Sequence, residues 1–169
     1  MKNSRRQSGK RSRSTTQSGN VLLEFALSAL LLTSVFTGTF QFGYTFYVYN
    51  KLVTAVSAAG RYGSLHPLTN SNNTAVPTSF ANDVKNMAVY GTPTPVSGSR
   101  PVAPGLTTAN IDVVVNFAAS GTGFRPTEVR VKVVNYQMNA IFRTFSFSNR
   151  PSITIPYFGS YCPDPTVCS

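Results

Sequence analysis

Acidic residues, histidine and cysteine are all scarce in this chain. Its 169 residues include five Asp and Glu, one His and two Cys. The acids are dispersed, and His66 has no Cys, Asp or Glu within 15 positions on either side. Without paired carboxylates, a nucleophile beside a base, or a set of metal ligands, the chain does not read as an enzyme. No cofactor, metal or small-molecule substrate is expected, and His66 reads as a loop histidine. Gly121-Thr122-Gly123 lacks the third glycine and the following helix of a phosphate loop, so it reads as a hairpin turn.

Charge is also missing from one long stretch. Between Asn20 and Tyr49 the only charged residue is Glu24. The rest is Leu, Val, Phe, Ala and small or hydroxyl-bearing residues. As a helix this stretch would be about 45 Å long, more than the roughly 20 apolar residues a bilayer core requires. Its apolar run is about twice the 7–15 residues of a cleaved secretory signal, and Ser57-Ala58-Ala59 lies well past its end. A membrane-spanning helix is therefore the better reading.

The abundant charge is basic and sits in front of that helix. Of the 15 Lys and Arg, six (Lys2, Arg5, Arg6, Lys10, Arg11 and Arg13) fall in the first 13 positions, with no acid among them. From Asn20 onward nine basic residues face five acidic ones, a net of +4 out of the total +10. The basic flank sets the orientation, with the N-terminus cytoplasmic and the remainder translocated. On that side disulfides persist, and Cys162 and Cys168 are expected to pair in a short loop at the end of the chain, stabilising it by about 2–3 kcal/mol.

These features predict an α+β chain in three parts. Residues 1–19 form a basic leader, 20–49 a transmembrane helix, and 50–169 an extracytoplasmic domain with a small antiparallel sheet and one short additional helix. Tyr49, Leu52, Val53, Val56 and Ala59 or Gly60 recur at helical spacing, which extends the first helix over 50–63 until Gly60, Gly63 and Pro67 end it. A second helix is expected over 80–90, with Phe80, Val84, Met87 and Ala88 inward and Gly91 as its stop. Alternating Val and Ile predict strands at 110–117, 128–136 and 152–157. Residues 64–79 and 91–109 read as exposed loops, and 136–148 fits a helix or an apolar loop equally well.

Glu24 stands out because a carboxylate at a bilayer centre costs about 2.5–3.5 kcal/mol, and less near the edge. A cut after Gly19 would place a new amino group on Asn20, one helical turn away. As a bare helix-start acid it would gain only about 0.3–1 kcal/mol from the macrodipole.

The basic leader ending in Gly19, Glu24 as the fifth residue after it, and the following Phe25 resemble the type IV pilin superfamily. Glu24-Phe25-Ala26-Leu27, Phe42-Gly43-Tyr44 and Ala58-Ala59-Gly60-Arg61-Tyr62-Gly63 are most similar to the TadE-like pseudopilins of tight adherence systems. The resemblance covers about residues 1–63. It implies cleavage between Gly19 and Asn20 by a prepilin peptidase, an assembly role for Glu24 and Phe25, and partners among other pilins, the assembly platform and lipid. It also implies a bacterial inner-membrane location, with entry into an extracellular pilus. Two other readings stand beside it. One is a permanent single-pass anchor carrying a binding domain. The other is an exported DNA-binding pilin using Arg125, Arg130, Lys132, Arg143 and Arg150, which alternating charges on a solvated strand face explain as well.

Overall fold

The computed structural model describes residues 17–69, 74–121, 123–140 and 143–162. The leader before residue 17 and Cys168 lie outside the described residues. In chain order the elements are α1 (Gln17–Leu65), β1 (Leu68–Thr69), α2 (Thr78–Tyr90), a 3-10 turn (Thr108–Asn110), β2 (Ile111–Ser120) and β3 (Gly123–Val133). They continue with β4 (Tyr136–Asn139), β5 (Thr144–Phe147), β6 (Ser152–Pro156) and β7 (Tyr161–Cys162). The class is α+β, with a long apolar helix first, one short helix and antiparallel sheets. The chain parts into two units between Phe40 and Gln41.

Up to Phe40, the described residues of the first unit belong to α1 alone. Val21, Leu22, Leu23, Phe25, Leu27, Leu30, Leu31, Leu32, Val35, Phe36 and Phe40 are all exposed. Residues 17–40 make a rod of roughly 36 Å at 1.5 Å per residue.

The second unit is built around the later part of α1. Val48, Leu52, Ala55, Val56 and Ala59 are buried at spacings of three and four, so this face joins the core. Leu52, Val56, Ala59 and Gly60 of the stripe read from the sequence are buried as expected, whereas Val48 and Ala55 join them in place of Tyr49, which is half-buried, and Val53, which is 37% exposed. The helix also runs through Gly60 and Gly63 instead of ending there. A methyl on Gly60 would stand 2.8 Å from Cγ2 of Ile153 and 3.2 Å from Cδ1 of Ile155, and one on Gly63 would stand 3.1 Å from Cγ2 of Val84. These glycines let β6 and α2 close onto the helix. They act through packing distance and not as helix breakers.

Against this face lies a three-stranded antiparallel sheet of order β2-β3-β6. β3 is central, and its Val129, Val131 and Val133 are fully buried, as period-2 alternation requires of a sheet with one face inward. The hairpin joins Ser120 to Gly123, with Gly121 at φ 61, so the turn falls where it was expected and both strands run further toward it than residues 117 and 128. α2 closes the core with Phe80, Val84, Ala88 and Val89, while Met87 is only partly buried. Gly91 ends it in the left-handed conformation at φ 73, its N–H bonded to the Met87 carbonyl.

The segment left open between helix and loop is instead a hairpin. β4 pairs with β5, Tyr136 opposite Phe147 and Met138 opposite Phe145. Tyr136 and Met138 are buried, and the Tyr136 hydroxyl donates to the Pro104 carbonyl at 2.6 Å. Burial first, then the neighbouring Tyr44, raises the Tyr136 pKa above its ordinary value.

A two-stranded parallel pairing joins β1 to β7. There the Ser64 carbonyl accepts N–H bonds from Phe158 and Gly159, and the Tyr157 hydroxyl donates to the carbonyls of His66 and Ser160. Carbonyls that the end of a helix leaves open are thus met by the C-terminal segment.

Candidate membrane and assembly helix

Glycine, asparagine and the acid fall at the start of α1. Helical geometry begins at Gln17, so the Gly19–Asn20 bond lies in the first turn, and both residues are exposed. Nothing lies within 4 Å of the position a Gly19 side chain would take. Asn20 and Glu24 are four residues apart and share a helix face one turn from each other. Glu24 is exposed, and among the described residues it makes no ion pair. Phe25 beside it is 72% exposed.

Four hydroxyls in this part of the helix are satisfied from within. Thr33 donates to the Ala29 carbonyl at 2.7 Å, Ser34 to Leu31 at 2.8 Å, Thr39 to Val35 at 2.9 Å and Thr45 to Gln41 at 2.9 Å. Each reaches a carbonyl three or four residues earlier, so these polar atoms are already paired within the helix. Composition reveals the hydroxyls but not this arrangement. The eleven exposed large apolar side chains between Val21 and Phe40 would gain about 1.5–3 kcal/mol each on leaving water, on the order of 20 kcal/mol together. Against that, the cost of Glu24, about 2.5–3.5 kcal/mol on insertion scales even at a bilayer centre, is small. The helix is long and apolar enough to cross a membrane, and this favours membrane anchoring.

The matched segment can now be named. Residues 19–61 match the family model for TadE-like protein. The TadE-like segment takes in Gly19, Asn20, Glu24 and Phe25, the exposed apolar arm, and the buried stripe through Ala59. It agrees with the resemblance read from Glu24-Phe25-Ala26-Leu27 and the later motifs, and points to a protein related to tight adherence pili. It stops at Arg61, so the sheet, α2 and the C-terminal segment lie beyond the TadE-like match. No curated protein and no solved structure gives a significant match to the chain.

Outside the TadE-like segment, two of the five cations offered for nucleic acid have local partners. Lys132 lies 3.1 Å from Asp112, and Arg130 lies 3.9 Å from Glu128 while its Nε donates to Thr154. Arg130 and Lys132 thus form a paired strand face, while Arg125, Arg143 and Arg150 make no ion pair among the described residues. His66 follows the last turn of α1, half-buried, stacked on Tyr62 with ring centres 4.8 Å apart and 3.7 Å from Asp83. That carboxylate comes from α2, beyond the span of sequence that a local reading inspects. Cys162 is buried on β7, 8% exposed.

Proposed function

We propose that this chain is a minor pilin-like subunit of a tight-adherence pilus or a related secretion system. The observation that carries the reading is an exposed apolar helix, matched to the TadE-like family, with its single acid one turn from Asn20. In this reading the precursor sits in the bacterial inner membrane, N-terminus cytoplasmic and the second unit extracytoplasmic, held by lipid contact along the exposed apolar arm from Val21 to Phe40. A prepilin peptidase hydrolyses the Gly19–Asn20 bond, leaving a carboxylate on Gly19 and an ammonium on Asn20. That ammonium faces Glu24 of a neighbouring helix in a poorly screened place, where opposite charges attract strongly. Phe25 and the small residues Gly38 and Gly43 let helices pack during entry into the pilus. The assembly platform and other pilins are the partners, and Cys162 pairs with Cys168 to hold the end of the chain against β1.

The test replaces Glu24 by Gln in the native host and measures the amount of the protein in sheared filaments. Leaving an ammonium unpaired in a dry interface costs about 3–5 kcal/mol, so incorporation falls by about tenfold or more while membrane levels persist. Unchanged incorporation would refute the role of Glu24, and absence of the parent protein from sheared filaments would favour the permanent anchor.

A further inference from the structure

Ala58, Leu65, Pro67 and Met87 line a cleft of about 480 Å³ where α1 ends, together with Arg61, Tyr62 and His66. Its size falls within the roughly 300–1,000 Å³ usual for binding clefts. The polar residues are not equivalent. His66 has Asp83 beside it, and Tyr62 stacks on His66. Arg61 is exposed and has no carboxylate within salt-bridge distance among the described residues. Two large apolar side chains are exposed here, one in the cleft lining and one outside it. Leu65 is 65% exposed, and Phe158, whose N–H is bonded to the Ser64 carbonyl, is 72% exposed. Large side chains left open next to a cleft mark a contact surface broader than a small molecule would cover.

Resting on the pilin-like reading, we propose that this cleft docks an apolar segment bearing a carboxylate from a different protein subunit. The apolar side chain of that segment sits against Leu65, Pro67 and Met87, and its carboxylate meets the Arg61 guanidinium. Charge decides the partner's chemistry. The Arg61 fork matches a carboxylate with two parallel hydrogen bonds, and the second unit has few acids of its own to offer. Most of the lining lies after residue 61, where the TadE-like match stops, so the surface belongs to this chain's particular partner and not to the helix shared with its family.

The experiment places a photoreactive amino acid at Leu65 of the full-length protein in its native host, with a second at exposed Val96 as control. Irradiation is followed by mass spectrometry of the crosslinked peptide. The expected adduct joins Leu65 to a peptide of another envelope protein that carries Asp or Glu beside apolar residues. It falls about tenfold with Arg61→Glu, since a like-charge contact opposes docking, and falls less with Arg61→Lys, which keeps the charge but not the fork. An adduct to lipid, to a second copy of this chain, equally to the Val96 probe, or none at all would overturn the proposal, as would indifference to Arg61→Glu. The N-terminal residue of the same preparation reports on the pilin reading separately, so failure of one is distinguishable from failure of the other.

Discussion

Replacing Gly60 by alanine sets two opposing effects against each other within one residue. In an exposed helix interior the change would stabilise by about 1 kcal/mol, because glycine is the poorer helix former. Here the new methyl would stand 2.8 Å from Cγ2 of Ile153 and 3.2 Å from Cδ1 of Ile155. The first of these is a branch methyl fixed to Cβ, so it cannot swing aside as the end of a long side chain would. Overpacking of this kind costs about 1–3 kcal/mol, and β6 would have to move or Ile153 leave its rotamer. The net expectation is a loss of about 1 kcal/mol, which lowers the melting temperature of a unit this size by about 5 °C. Near-UV circular dichroism of the full-length chain in detergent follows the tyrosines, which are distributed through the second unit, and reads this directly. Ile153→Ala removes the obstructing methyl, so the double variant should recover part of the loss and show coupling between the two sites. A Gly60→Ala protein that melts higher than the parent would refute the close-approach account and return Gly60 to an ordinary helix position.

Further outcomes follow from single side chains. The Nε2 and Oε1 atoms of Gln41 are buried without hydrogen-bond partners among the described residues, so Gln41→Met should stabilise the chain by about 1–3 kcal/mol, measured by the same melt. Burial raises the pKa of Tyr157 above its ordinary value, against a smaller lowering by a backbone bond with Leu68, and raises that of Tyr62 with help from Asp83. Their stabilising contribution, shared with Tyr136, is therefore fully present below pH of about 10, the value in the unfolded chain. It is lost as pH rises through the higher folded values. Melting temperature should hold to about that pH and then fall, and Tyr157→Phe should lower it at neutral pH while flattening the alkaline decline. A decline that begins well below the ordinary tyrosine range would contradict this assignment.

The helix, α2 and the central strands were legible because each obeys a short period that local sequence carries. Val129, Val131 and Val133 alternate, Phe80 and Val84 recur at four, and Gly91 stands where a helix needs a left-handed stop. Misreadings arise where a distant partner decides. Gly60 and Gly63 resemble terminators until Ile153 and Val84 are seen pressing on them. Tyr136, Met138, Phe145 and Phe147 have period 2, but two four-residue strands hold too few positions to separate that from a helix or a loop. β1 and β7 are two residues each, and their parallel pairing joins segments about 90 residues apart. At the candidate site, Gly19, Asn20, Glu24 and Phe25 stand out by their resemblance to the TadE-like pattern, and helical geometry adds that Asn20 and Glu24 lie one turn apart. The cleft at Arg61 was not, because Met87 and Pro67 reach it from different elements. The pairing of His66 with Asp83 was hidden in the same way.

The most direct test of the account is the N-terminal residue of the protein recovered from native membranes and sheared filaments, read by peptide sequencing or intact mass. A mature start at Asn20 is the predicted result, with its amino group one turn from Glu24. A start at Met1 or Lys2 in both fractions would contradict processing and leave an anchored domain in place of a pilin-like subunit.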